Sequence, residues 1–456
     1  MKINHIITTI ALATSLTACS DFTETTPKGK VIPTTTEDFK EMAIDVSNSS
    51  STYPLPNICS DDVYSDEQNE LSDNGKAYFW SEDFYKANEG DKAWNATYKR
   101  IYVMNVVINN IMGSTEGTEA EKKAVLAEAK VWRAYYYWYL QSLYAKDYNE
   151  STASTDLSVP LSLTPDLEAE LPRATIAEVT QQIWSDLEGA EDVLPDVAAN
   201  NYRPTKGAVY ALKARILFYE HKYEEAAEQA KLALQTNCEL QDMRTWSFKN
   251  EGKPSSGING RPTNYYQSPE KIWYMSNGFP SLITSFCISD DLQSLFKESD
   301  LRFKFYFSNR DRRGNLWEDG RYRYLQNLDY SFGVPEMMLI EAESLARNND
   351  SKALDILNAI RQKRFTDADY QPLTAADGES LLDIVLKERR CELCLNSLRW
   401  LDMKRLAAEG KYTKTLTRTL NDKTYTLEPN SKLYVFPIPA QVLDLNHKII
   451  PNDRKQ

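Results

Sequence analysis

Aromatic side chains are the residues of this sequence best suited to chemistry, and it is the chemistry of holding a ligand rather than transforming one. Two segments concentrate them outside any long helical pattern: Tyr78, Phe79, Trp80, Phe84 and Tyr85 in the first, and Trp246, Tyr265, Tyr266, Trp273, Tyr274, Trp317, Tyr322 and Tyr324 in the second. A sugar ring presents an apolar C–H face and a rim of hydroxyls. A Trp or Tyr platform flanked by Asn, Asp, Arg or Gln can hold such a ring with no catalytic group. Groups that would transform a ligand lack a pattern, for there is no G-x-x-x-x-G-K-[ST], H-E-x-x-H, G-x-S-x-G or G-x-G-x-x-G. A glycosidase needs two carboxylates about 5–10 Å apart. Asp61, Asp62, Asp290 and Asp291 are candidates, but among 66 acidic residues adjacent pairs arise by chance. The reading is a binding protein with no catalytic residues, not an enzyme.

Metal and redox chemistry find little support. Cys391-x-x-Cys394 lacks the second cysteine pair or nearby histidines a metal site would use, since the histidines number three in all. Ile384, Cys391, Cys394, Leu398 and Leu401 fall roughly on one helical stripe, so these cysteines read as small core hydrophobes. The segment 61–91 holds ten acidic residues against Lys76 and Lys86 without EF-hand spacing, and reads as a solvated acidic face. No metal and no cofactor are expected. A net charge of −13 gives no overall attraction to phosphate backbones, so no nucleic-acid partner is expected either.

The elements that must position these residues are mostly helical. Gly and Pro contribute only 16 and 19 of 456 residues, while 42% are hydrophobic and 26% charged, which excludes linker-dominated or wholly disordered chains. Residues 1–18 read as a lipoprotein signal peptide: Lys2, an apolar run over 6–16 too short to span a bilayer, then Leu16-Thr17-Ala18-Cys19. Cys19 is the expected lipidation site, and residues 19–38 form a polar tether broken by Pro27 and Pro33. One domain is expected over 39–456. Helical repeats occupy 92–236 and 334–410, loop-rich, partly β insertions occupy 39–91 and 237–333, and 411–456 is a C-terminal tail.

Helices are expected over 92–112, 119–146 and 175–193, the last opened by a capping box from Thr175 to Glu178. Across 211–234, Ala211, Ala214, Ala226, Ala227, Ala230 and Ala233 let two helices approach closely around a short turn. That unit looks like a tetratricopeptide hairpin, and 342–360 is a weaker copy. The fold class is therefore mainly α, a tetratricopeptide-like scaffold of about four helical pairs. The alternation over 302–307 reads as a strand, and Arg399, Asp402 and Arg405 as ion pairs along one helix face.

In order and spacing these landmarks resemble the SusD/RagB family of outer-membrane nutrient-binding lipoproteins of Bacteroidetes. They comprise Cys19-Ser-Asp-Phe; Trp94-x-x-x-Tyr98 with Asn105; Trp132-Arg-Ala-Tyr-Tyr136; Arg173-Ala-Thr with Asp186-Leu187; Glu388-Arg-Arg with Glu392; Arg399-Trp400-x-Asp402-x-x-Arg405; and Pro437-Ile-Pro-Ala440. The acidic-Gly pair usual before the Arg-Trp motif is here Asn396-Ser397. The resemblance implies a surface-exposed oligosaccharide-binding lipoprotein, anchored by lipid in the outer membrane and facing the exterior. It would serve carbohydrate uptake with a SusC-like TonB-dependent transporter. Alternatives are a peptide ligand, or a repeat module that only assembles with the transporter. The family's ligand sites lie outside the repeats, which selects Trp80, Tyr265, Tyr266, Trp317 and Tyr322 as platforms, with Asn74, Asn264 and Arg321 as polar partners.

Overall fold

The computed structural model describes residues 33–47, 54–66, 68–86, 88–236, 238–262, 267–275, 286–326, 329–375 and 379–455. The expected signal peptide, Cys19 and most of the tether lie outside the described residues. The long helices are α1 (Thr36–Ser47), α2 (Lys92–Asn110), α3 (Glu119–Tyr144), α4 (Ile176–Leu187), α5 (Lys206–Tyr219), α6 (Tyr223–Leu234), α7 (Val334–Arg347), α8 (Lys352–Arg361), α9 (Leu381–Glu392) and α10 (Leu398–Ala408). Several open on side-chain caps. The Asp91 carboxylate accepts from Trp94 N, and Thr118–Glu121 and Thr175–Glu178 form reciprocal capping boxes, the second as its spacing predicts.

Helix α2 packs on α3, α4 on α3, α5 on α6, α6 on α7, and α7 on both α8 and α9. The alanine stripe explains the closest pair: Ala211, Ala214, Ala226, Ala230 and Ala233 are fully buried between α5 and α6. Helix α3 is covered nearly all round. Trp132, Tyr135, Tyr136, Tyr137, Trp138 and Tyr139 are buried, and Trp132 meets Trp273 edge-on with ring centroids 4.5 Å apart. Tyr137 solves the problem of its buried hydroxyl by donating to Ser162 O at 2.7 Å and accepting from Ser162 N at 2.8 Å. The strands are short antiparallel pairs, the longest being Leu416–Leu420 with Lys423–Leu427. The fold is mainly α with small sheets, as expected.

Buried arginines staple these helices together. Arg133 of α3 forks onto Asp186 of α4 at 2.7 and 2.6 Å and donates to Asn105 of α2 at 2.8 Å, which unites three of the sequence landmarks in one cluster. Arg215 of α5 forks onto Glu336 of α7. Arg405 of α10 forks onto Glu343 of α7 at 2.7 and 2.8 Å. Such pairs add little over well-packed hydrophobes, but breaking one strands a buried charge at about 3–5 kcal/mol.

The structure corrects several expectations. The tether does not extend to residue 38: α1 begins at Thr36, and Thr36 N donates to Thr115 O at 3.0 Å. The 39–91 insertion is more helical than expected, containing most of α1 and the short helices Leu55–Cys59 and Asp73–Tyr78. The expected strand over 302–307 is instead a helix, Leu301–Tyr306. Its cap Asp300 accepts from Arg302 N, and the Arg302 side chain is drawn inward by Asp300, Glu388 and Glu392, so the alternation marks buried ion pairs rather than pleat. The cysteine stripe spans two helices. Helix α9 ends at Glu392, and Leu395 and Ser397 adopt left-handed φ values of 59° and 68° before α10. Cys391 and Cys394 are nonetheless buried free thiols, which burial pushes well above the ordinary range. Arg405 pairs with Asp402 at 2.9 Å as expected, but Arg399 turns away to Asp61 at 2.7 Å.

Candidate ligand-binding face

The most promising concentration of aromatic and charged side chains outside the helical pairs rests on four two-residue strands. Val63–Tyr64 pairs antiparallel with Cys287–Ile288, and Phe307–Ser308 with Arg323–Tyr324. Ile288 N donates to Tyr322 O at 2.9 Å and joins the two pairs. Between Ser308 and Arg323 the chain makes a hairpin, closed by Trp317 N donating to Asn309 O at 2.9 Å. Its tip needs glycine: Gly314 has φ +99°, and a Cβ there would lie 2.7 Å from Gly252 O on the neighbouring loop.

Two cation–aromatic pairs stand on this platform. The Arg323 guanidinium lies 4.2 Å from the Trp317 ring centroid, and the Arg321 guanidinium 4.2 Å from that of Tyr64. Carboxylates hold both arginines. Asp319 accepts from Arg323 Nη1 and Nη2 at 3.0 and 2.6 Å and from Arg321 N at 2.9 Å. The Arg323 hydrogen bond is the main cause that lowers the Asp319 carboxyl to about 2. Arg321 Nη1 donates to Asp290 Oδ1 at 3.0 Å. Trp317 is half-buried, and its indole Nε1 has no acceptor among the described residues. The arrangement sets two aromatic rings, each with an arginine over one face, beside fixed donors and acceptors, the residue types that a ring with hydroxyls in its plane requires.

The structure thus brings together Trp317, Arg321 and Tyr322. Tyr322 is half-buried, packed 4.8 Å from the Phe303 ring centroid, so it supports the face more than it presents one. Asn74 is half-buried on the helix Asp73–Tyr78, whose Tyr78 hydroxyl accepts from Ser65 N beside Tyr64 at 2.9 Å. Asn264, Tyr265 and Tyr266 lie outside the described residues. Trp80 is a correction: it is 2% exposed, its Nε1 donates to Cys59 O at 2.8 Å, and the buried Arg418 guanidinium lies 4.2 Å from its ring. It fills the core and offers no platform.

Tyr64, Asp319 and Arg323 were not selected from sequence, and Asp290 only as one of several carboxylates with no ligand role assigned. The available signal was Arg321-Tyr322-Arg323, a polar–aromatic–polar triplet entering a strand, too short to separate from noise. The candidate carboxylate pair Asp61–Asp62 is structural: both side chains are buried, Asp61 bound by Arg399 and Asp62 by Arg390 at 2.8 Å.

A family model described as "Starch-binding associating with outer membrane" matches residues 33–218, and a second, described as "SusD family", matches 329–454. The hairpin lies between the two matched regions. Among curated proteins, SusD-like protein P2 of Formosa agariphila is 24% identical over 418 residues, covering 79% of each chain. SusD-like protein P38 of the same organism is 24% identical over 372 residues, covering 68% of this chain and 71% of that one. Among solved structures, a SusD superfamily protein from Bacteroides thetaiotaomicron superposes with a TM-score of 0.71 at 18% identity, covering 92% of this chain and 100% of that one. A protein described as putative sugar binding from Bacteroides vulgatus gives 0.70 at 19% identity, with 93% and 99% covered. Surface glycan-binding protein A from Bacteroides uniformis gives 0.68 at 18% identity, with 92% and 100% covered.

Proposed function

The chain belongs to the SusD/RagB family, and on that premise we propose that it is a lipid-anchored, surface-exposed oligosaccharide-binding protein that works with a SusC-like TonB-dependent transporter in carbohydrate uptake. The observation that carries the ligand reading is the pair of cation–aromatic stacks, Arg323 on Trp317 and Arg321 on Tyr64, fixed by Asp319 and Asp290. Solved proteins of the same fold described as sugar- or glycan-binding support it. The protein holds its ligand without cleaving it. Asp61 and Asp62 are tied up in buried ion pairs, and Asp290, Asp291 and Asp319 in pairs with Arg321, Lys414 and Arg323.

A glycan array probed with the protein lacking residues 1–18 and carrying Cys19→Ser tests ligand class, with reducing-end release measured on every bound oligosaccharide. Retained, uncleaved glycan is expected. Binding confined to peptides, or cleavage, contradicts the reading. For the anchor and partner, wild type is expected in the outer-membrane fraction and to co-purify with a TonB-dependent transporter, and Cys19→Ala is expected in the soluble fraction. A Cys19→Ala protein that still sediments after a high-salt wash contradicts lipid anchoring.

A further inference from the structure

The charge around the hairpin runs opposite to that of the molecule. The whole chain has 53 basic against 66 acidic residues, yet the hairpin 308–323 and the loop 249–257 it rests on carry seven basic residues against four acidic ones, Glu251, Asp311, Glu318 and Asp319. Among the described residues none of these acids forms an ion pair with Lys249, Lys253, Arg312 or Arg313, and Asp319 is held by Arg323. Asp311 Oδ1 accepts from the backbone N–H groups of Arg313 and Asn315, both at 2.8 Å. Glu251 pairs with Lys304 at 3.4 Å. Arg310 is half-buried and donates to Gly314 O at 2.9 Å, bracing the tip.

Four exposed cations are left with no ion pair among the described residues: Lys249, Lys253, Arg312 and Arg313. Lys432 and Lys123 have found acidic neighbours, while Lys92, Lys297 and Lys411 are also exposed without an ion pair among the described residues; the four here differ in lying on two adjoining loops. The two loops are fixed against each other. The Gly314 position abuts Gly252 O and Lys253 Cβ, and Ser255 Oγ donates to Arg312 O at 3.3 Å. Lys253, Arg312 and Arg313 therefore stem from one edge of adjoining backbone, formed by the hairpin that carries Trp317 and the loop against it.

We propose that this edge makes the site selective for acidic oligosaccharides, those carrying uronate or sulfate groups along the chain, with a sugar ring on the Trp317 side and its anionic neighbours over Lys253, Arg312 and Arg313. The proposal rests on the oligosaccharide-binding reading above. Clustered like charge that its own surface does not neutralise costs self-repulsion, and an anionic ligand relieves it while being drawn in by the local field. Repeated anions on a glycan match cations spread over two loops better than one compact anion would.

The test titrates the protein lacking residues 1–18 and carrying Cys19→Ser with oligogalacturonates, sulfated oligosaccharides and neutral oligosaccharides of equal length. Wild type is compared with a Lys253→Ala, Arg312→Ala, Arg313→Ala triple variant, all surface positions. The expected result is at least about tenfold tighter binding of an acidic class at about 50 mM salt, a preference largely lost at about 0.5 M salt, where screening is short-ranged. The triple variant should lose that preference while binding neutral glycans as before and melting as wild type does. Equal binding of neutral and acidic glycans overturns the charge inference and leaves the oligosaccharide reading standing. Binding of no glycan removes both. Capture by vesicles of anionic lipid, abolished in the triple variant, with no acidic-glycan preference, reassigns the edge to the membrane and overturns the proposal.

Discussion

His221 is a pH-dependent clamp on the helical scaffold, and its contribution can be worked from its contacts. It sits in the turn between α5 and α6 with a left-handed φ of 63°. Its Nε2 lies 2.7 Å from Asp147 Oδ2, just beyond α3, and its Nδ1 lies 2.9 Å from Glu409 Oε1, just beyond α10. Glu409 in turn holds Arg347 of α7 at 2.9 Å, so one imidazolium links the ends of several helices. Burial alone would lower its pKa, but hydrogen bonds and charge from Asp147 and Glu409 outweigh that and raise it to about 9. A folded-state pKa above the unfolded 6.5 gives stability that is complete below pH 6.5 and lost as pH rises through about 9. The gap corresponds to at most about 3 kcal/mol, and sharing the carboxylates with Arg347 and Tyr223 brings the expectation to about 2 kcal/mol. Lys404 titrates in the same region with the opposite sign. Buried against Ser142 O and Ala145 O, it is lowered by desolvation to about 8, so its cost to the fold shrinks as pH rises from 8 to the unfolded value. Only a difference therefore isolates His221. The assay is urea unfolding of wild type and His221→Asn from pH 6 to 9.5. The stability advantage of wild type should fall by about 2 kcal/mol over that range, and an advantage that stays constant refutes the clamp.

Further outcomes follow from burial and backbone geometry. Trp80→Ala should destabilise by about 3–5 kcal/mol in chemical denaturation, as a core truncation, and any loss of ligand binding should track unfolding. Asp186→Ala should cost a similar amount, about 3–5 kcal/mol, because Arg133 is left buried with only Asn105. Ser397→Gly should raise stability by about 1 kcal/mol, read as a higher urea midpoint, since Ser397 bears a Cβ at φ 68°.

Legibility in the sequence followed the reach of each signal. Long helices could be read because alanine stripes and capping boxes act within a few residues, as in α5–α6 and at Thr175. Destinations of long-range pairs could not: Arg399 has Asp402 three residues away, yet its partner is Asp61, 338 positions upstream. Arg302 produced an apparent strand pattern for the same reason, its buried pairing with Glu388 and Glu392 being invisible locally. At the candidate face, Trp317, Arg321 and Tyr322 were accessible by type. Tyr64 was not, because two-residue strands carry too little periodicity to announce that they meet. Trp80 misled because an aromatic in a polar segment gives no sign that a distant Arg418 is buried against it.

The most direct measurement is calorimetric titration of an array-identified oligosaccharide into wild type, Trp317→Ala and Tyr64→Ala, each paired with a thermal melt. A stacking ring contributes about 0.5–1.5 kcal/mol beyond area burial, so each variant should lose roughly three- to tenfold in affinity while melting close to wild type. Unchanged affinity in both folded variants would contradict the assignment of this face as the ligand site.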